Sequence, residues 1–178
     1  AHFGLTARSR TLHLASPSFD ASVLEMLMAI SAAATMHIAP PGIVGGRELA
    51  ELMNERAITH AFLTPSLLST LSPDDVPDLH ALVIGGEHPN PEAVREWSRG
   101  PALFNAYGPT ETTVVATVSE DITPVDSIIT IGRPIRGIAA LVLDERLQPV
   151  APGTVGELYI AGPHLARGYH GLSLIHIS

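Results

Sequence analysis

A chain of 178 residues is long enough for one sizeable hydrophobic core and too short for two ordinary domains. Hydrophobic residues make up 46% and charged residues 16%, while 10 basic against 18 acidic residues leave a formal charge of −8, which argues against a nucleic-acid footprint of clustered cations. The ten basic residues are all arginines, so no lysine of this chain binds a phosphate, and the lack of cysteine excludes disulfides, thiolate metal sites and a cysteine nucleophile.

Taken in chain order, Thr11–Ala15 (TLHLA) and Thr35–Ala39 (TMHIA) read as strands flanking a helix from about Ser22 to Ala34. Ser22 and Glu25 have the spacing of a capping box, which would fix the start of that helix and leave Asp20 without a structural duty. The apolar run Ala21–Ala34 carries Glu25 and is shorter than the roughly 20 residues of a membrane span, so it predicts a buried helix. No charged-then-apolar signal segment opens the chain, the start at Ala1 reads as an arbitrary cut, and a cytoplasmic location is expected.

Gly45–Arg56 is an amphipathic helical pattern, His60–Thr64 a strand, and Pro65 opens a short helix over Ser66–Leu71. His80–Gly86 is a strand running into glycines, Asn90–Ser98 a helix and Pro101–Tyr107 another strand. This alternation predicts an α/β fold of βαβ units on a largely parallel sheet. After Thr112 the stretches TVVATVS, AALVLD and GELYIAG are β-rich, which suggests an antiparallel or barrel-like segment, with Asp144 and Glu145 in a turn. Ligands of such sheets bind at the carboxyl ends of the strands, where Gly85-Gly86-Glu87 and Asn105–Glu111 fall. VIGGE lacks the G-x-G-x-x-G spacing of a dinucleotide-binding turn, and the nine histidines form no zinc-protease pattern.

The informative stretch is NAYGPTETT, Asn105–Thr113. Gly108-Pro109 makes a tight turn, the Thr110 hydroxyl can donate to a phosphate oxygen, and Glu111 offers the hard oxygen that magnesium prefers beside phosphates. Tyr107 can stack on a planar base, and the Asn105 amide can read a base edge.

NAYGPTETT resembles the adenine- and phosphate-contacting motif of adenylate-forming enzymes, specifically the adenylation domains of nonribosomal peptide synthetases. FDASVLEM (Phe19–Met26), LVIGGE (Leu82–Glu87) and GELYIAGPHLARGY (Gly156–Tyr169) support the resemblance in the same order. It implies an ATP- and magnesium-dependent ligase in which Asn105 bonds the adenine amino group, Tyr107 stacks on the ring and Gly86 lets the base approach. Glu87, Ala106 and Gly108 would complete the nucleotide surface, Thr110 would contact the α-phosphate, and Glu111 would hold the metal. Thr110 and Glu111 are thus the implied catalytic pair.

Asp20, in the same resemblance, pairs with the substrate's α-ammonium, which favours an amino acid over a fatty or aryl acid. The side-chain pocket would be lined by Ala21, Leu24, Phe62, Val83, Gly85, Ala106, Val114 and Val115. None is charged, so a charged substrate side chain would lack a partner and a neutral, mostly apolar amino acid is implied. Ordinary sheet packing would explain the same residues. The implied partner is a phosphopantetheinyl carrier protein; no nucleic acid and no membrane is expected.

Complete adenylation domains also carry a phosphate loop ending in Pro-Lys-Gly, an aspartate for the ribose and a small domain with a catalytic lysine, and none occurs here. Residues 1–171 therefore read as part of an adenylation domain that does not adenylate by itself. Residues 172–178 (LSLIHIS) read as a non-native tail. An acyl- or aryl-CoA ligase of the same superfamily, or a non-catalytic nucleotide-binding module, is the alternative.

Overall fold

The computed structural model describes residues 2–125 and 128–171, so the expected non-native tail lies outside the described residues. The chain runs β1 (Arg10–His13), α1 (Ala21–Ala32), β2 (Thr35–Ile38), α2 (Gly46–Glu55), β3 (His60–Leu63) and α3 (Pro65–Leu68). It continues through a 3-10 turn (Pro73–Asp75), β4 (Ala81–Gly85), α4 (Pro91–Trp97), β5 (Ala102–Tyr107) and a second 3-10 turn (Thr110–Thr112). Four strands close the order: β6 (Thr117–Val118), β7 (Arg133–Pro134), β8 (Ala139–Leu143) and β9 (Glu157–Ala161).

One sheet has the order β2-β1-β3-β4-β5-β6-β7. Its first five strands are parallel, with His60 opposite Ala81 and Gly85 opposite Ala106, and β6 and β7 join antiparallel. The β-rich tail of the sequence is thus divided: β6 and β7 extend the main sheet, whereas β8 and β9 pair as a separate ribbon. The path turns outward from β1 to β2 and then back across to β3, so the strand order reverses between β1 and β3. Ligands of such sheets bind beside a reversal of this kind, and the loop leaving β1 stands next to it.

Every residue of β3 and β4 is buried, as parallel strands covered on both faces must be. Alternation assigns their side chains to two cores. Leu63, Leu82, Ile84 and Leu103 pack with Leu49 and Met53 of α2 and Val94 and Trp97 of α4. Phe62, Ala81, Val83, Phe104 and Ala106 pack on the other face with Met28 of α1.

Local chemistry sets most helix starts. Thr64 caps α3 through Leu67 N–H with Pro65 in its first turn, and Asn90 caps α4 through Glu92 N–H at 2.9 Å ahead of Pro91. Helix α1 departs from expectation. It begins at Ala21 with Asp20 in the N-cap position, and no side chain caps it. The Ser22 hydroxyl donates to the Phe19 carbonyl at 2.7 Å, and Glu25 turns to the end of β1, so the anticipated capping box does not form. The helix is also buried on one face only. Ser22, Glu25, Met28 and Ala29 face the sheet, whereas Val23, Leu27 and Ile30 are exposed because no described residue covers them.

Candidate active site

The carboxyl ends of β4 and β5 carry the first part of the site. Gly86, Glu87, Asn105, Ala106, Tyr107 and Gly108 line one cleft of about 380 Å³. Six of the seven residues expected around the nucleotide therefore converge, and Thr110 stands exposed in the adjoining turn. His88, Pro89 and Ile131 complete the walls. The first two follow directly on LVIGGE, while Ile131 lies in a stretch that carries no sequence signal. A hollow of about 510 Å³ sits at the opposite end of the strands, between Ser72, Leu79 and Pro101, and holds none of the expected residues.

The polar groups of this cleft are oriented by their neighbours. Asn105 is buried, donates its side-chain N–H to the Thr130 carbonyl at 3.0 Å, and donates its main-chain N–H to Ser119 Oγ at 2.8 Å. The first bond fixes the amide so that its oxygen remains an acceptor. Gly86 has φ +82 and open space where a side chain would stand. Gly108 is the reverse case: a Cβ there would lie 2.6 Å from the Val114 carbonyl oxygen and 2.7 Å from Ala116 N, so only glycine allows the approach. Glu87 is committed elsewhere, since its carboxylate accepts Ser66 N–H at 3.0 Å and the Ser66 hydroxyl, tying the end of β4 to α3.

Glu111 is half-buried in the second 3-10 turn, and among the described residues no cation pairs with it. The segment after β9 folds over it. Ala166 N–H donates to the Glu111 carbonyl at 2.7 Å, the Thr113 hydroxyl donates to the His164 carbonyl, and the Tyr169 hydroxyl meets the Glu111 carboxylate. That hydrogen bond, the Glu111 charge, burial and the charge of Asp20 all raise the Tyr169 phenol above its ordinary pKa. Glu111 acts on that hydroxyl by hydrogen bond and charge, and Asp20 by charge alone, the weakest of the four effects. Gly156 and Gly162 do serve close backbone approaches, but nothing in the pattern announced the return onto Glu111.

Asp20 is half-buried, has helical φ and ψ of −66° and −21°, and its Oδ2 has no partner among the described residues. Behind it, Ala21, Leu24, Phe62, Val83, Ala106 and Val115 fall in one apolar cluster. Gly85 touches it, because a Cβ there would sit 2.6 Å from the Ala106 carbonyl and 3.2 Å from the Phe62 ring. Val114, with φ 72, lies outside the cluster. Leu24 and Val115 face an apolar hollow of about 500 Å³ together with Phe3, Val118 and Ile135, with Glu120, Arg133 and Arg136 also in its wall. Val83 is fully buried, as core packing alone would require. Ala106 lines the polar cleft and also belongs to the apolar cluster, so the two compartments share a wall.

Comparisons with known proteins bear on the family and the fold. The model of the AMP-binding enzyme family matches residues 1–170. Novobiocin biosynthesis protein H of Streptomyces niveus is 45% identical over 165 residues, covering 93% of this chain and 27% of that protein. NpsA-ThdA, an artificially fused adenylation-PCP di-domain from Klebsiella oxytoca, superposes with a TM-score of 0.84 at 30% identity, over 94% of this chain and 33% of the other. AB3403, a four-domain nonribosomal peptide synthetase bound to AMP and glycine, superposes with a TM-score of 0.84 at 29% identity, over 93% of this chain and 13% of the other. The chain thus spans about a quarter of the curated relative's length. With its sheet, its polar turn and a family match over nearly the whole length, this chain belongs to the AMP-binding enzymes, among the adenylation domains of nonribosomal peptide synthetases.

Proposed function

We propose that this chain supplies the nucleotide and amino-acid clamp of a ligase that activates a neutral, mostly apolar amino acid as its aminoacyl adenylate, for loading onto a phosphopantetheinyl carrier protein. The observation that carries the reading is the convergence of the expected adenine-contacting residues on one cleft, whose Ala106 wall is shared with the apolar cluster that holds the expected side-chain pocket. In the reaction a substrate carboxylate oxygen attacks the α-phosphorus of ATP, the bond to the β-phosphate bridge breaks and pyrophosphate leaves. Asn105 accepts from the adenine amino group, Tyr107 stacks on the ring and Thr110 donates to the α-phosphate. Asp20 holds the ammonium, and the apolar cluster behind it receives the side chain.

Glu111 suits magnesium, which takes one or two carboxylates, phosphate oxygens and water, and its carboxylate has no competing cation among the described residues. Bound there, the metal would offset phosphate charge. The chain's own residues contribute positioning, which can supply much of such a barrier reduction. Loading onto a carrier is supported by the adenylation-PCP fusion among the structural neighbours, and the amino-acid substrate by the neighbour bound to AMP and glycine. An amino-acid substrate, rather than a fatty or aryl acid, is favoured by the unpartnered Asp20 oxygen. No helix among the described residues is long and apolar enough to cross a membrane, and we place the protein in the cytoplasm.

The test is pyrophosphate exchange into ATP by the complete adenylation domain, across the amino acids. Glu111→Ala abolishes magnesium-dependent exchange, and retained exchange would remove Glu111 from the chemistry. A preference for Asp, Glu or Lys would refute the pocket assignment.

A further inference from the structure

Glu25 takes no part in the chemistry above, yet it is 1% exposed and is the only fully buried carboxylate among the described residues. Burying a carboxylate is costly unless its oxygens are satisfied, so its partners show what the site needs. Its Oε2 accepts Leu14 N–H at 3.1 Å and Ala15 N–H at 3.1 Å, and it lies 2.8 Å from His13 Nδ1. Leu14 and Ala15 are the first residues beyond β1, where the sheet no longer pairs the backbone. Glu25 itself stands on the second turn of α1. One carboxylate therefore closes a ring that runs from the end of β1 through the loop and back along α1.

Asp20 lies inside that ring. The loop between is short and braced, with Phe19 N–H donating to the Ser16 carbonyl at 2.9 Å and both Ser22 N–H and Ser22 Oγ donating to the Phe19 carbonyl. Asp20 has no cap bond of its own, and its Oδ2 has no described partner. Its position is thus set by the backbone on either side, and that backbone is held by Glu25. We propose that Glu25 is a positioning residue for substrate recognition: it locks the β1–α1 loop so that Asp20 faces the amine of the incoming amino acid. The inference rests on the amino-acid reading of Asp20 given above.

The two claims separate in one experiment. Exchange kinetics on the complete adenylation domain give KM for the amino acid and for ATP in Asp20→Asn, Glu25→Ala, Glu25→Asp and Glu25→Gln, alongside thermal melts. A misplacement near 1 Å costs on the order of 100-fold in such sites, so Asp20→Asn and Glu25→Ala each raise the amino-acid KM at least about tenfold while the ATP KM stays within about twofold. Glu25→Gln restores the wild-type value, because one carbonyl oxygen can accept both amides. Where Glu25→Ala does not fold, Glu25→Asp, one methylene too short to reach, is read in its place. Asp20→Asn without effect would overturn the reading of Asp20. An effect of Asp20→Asn alone, an equal rise of both KM values in the Glu25 variants, or no recovery with glutamine would overturn the positioning role.

Discussion

Gly108→Ala tests how tightly the turn after β5, the proposed nucleotide clamp, is built. The added methyl would stand 2.6 Å from the Val114 carbonyl oxygen, 2.7 Å from Ala116 N and 2.8 Å from Val115 Cα. All three are backbone atoms, so no rotamer change can relieve the clash. Ordinary contact begins at 3.4 Å, and the turn carrying Tyr107 through Glu111 must move away from residues 114–116 to reach it. The bond from Ala116 N–H to the Tyr107 carbonyl, 2.8 Å long, opposes that movement. Overpacking of this kind costs about 1–3 kcal/mol of stability, which lowers the melting temperature. A turn displaced by close to 1 Å lowers exchange activity by about 10–100-fold. Isothermal titration with AMP, pyrophosphate exchange and a thermal melt read the three effects on the complete adenylation domain. Gly86→Ala is the contrast: φ +82 makes it strained by about 1–2 kcal/mol, but open space surrounds it, so no neighbour has to move. A Gly108→Ala protein with wild-type AMP affinity and melting temperature would refute the argument that this approach sets the turn.

Trp97 is fully buried in the core beneath α4, so Trp97→Ala removes about 3–5 kcal/mol, and a loss below about 1 kcal/mol by denaturant titration would show that α4 lies outside the cooperative core. His60 is buried between Thr59 and the Phe3 carbonyl, and burial lowers its pKa from the ordinary 6.5. The unfolded chain therefore takes up the proton first: this contribution to stability is complete above pH 6.5 and falls by up to about 1.4 kcal/mol per pH unit below it, until the folded pKa is passed. Denaturation of wild type and His60→Phe from pH 7.5 to 5 checks this, and parallel pH profiles would contradict it.

The strands and helices were legible because their signals are local. Apolar runs marked β3 and β4, and Pro65 and the segment from Asn90 marked the starts of α3 and α4. The polar turn after β5 was legible as well, since Gly108-Pro109 breaks the strand within one short polar stretch. Helix α1 shows the limit. Ser22 and Glu25 fit a local capping pattern, yet Glu25 is drawn to Leu14 and Ala15, whose partly buried amides lose their sheet partners. Local spacing carries no record of that demand.

The sequence by itself determined where the strands and helices lie and where the chain turns, because hydrophobic period and turn chemistry act between near neighbours. Only the tertiary structure decided that the strand order reverses beside β1, that Glu87 serves Ser66, and that the segment carrying Ala166 and Tyr169 returns onto Glu111. Those contacts join residues far apart in the chain. They form only where packing of both sheet faces fixes the distance between loops that carry no signal of each other.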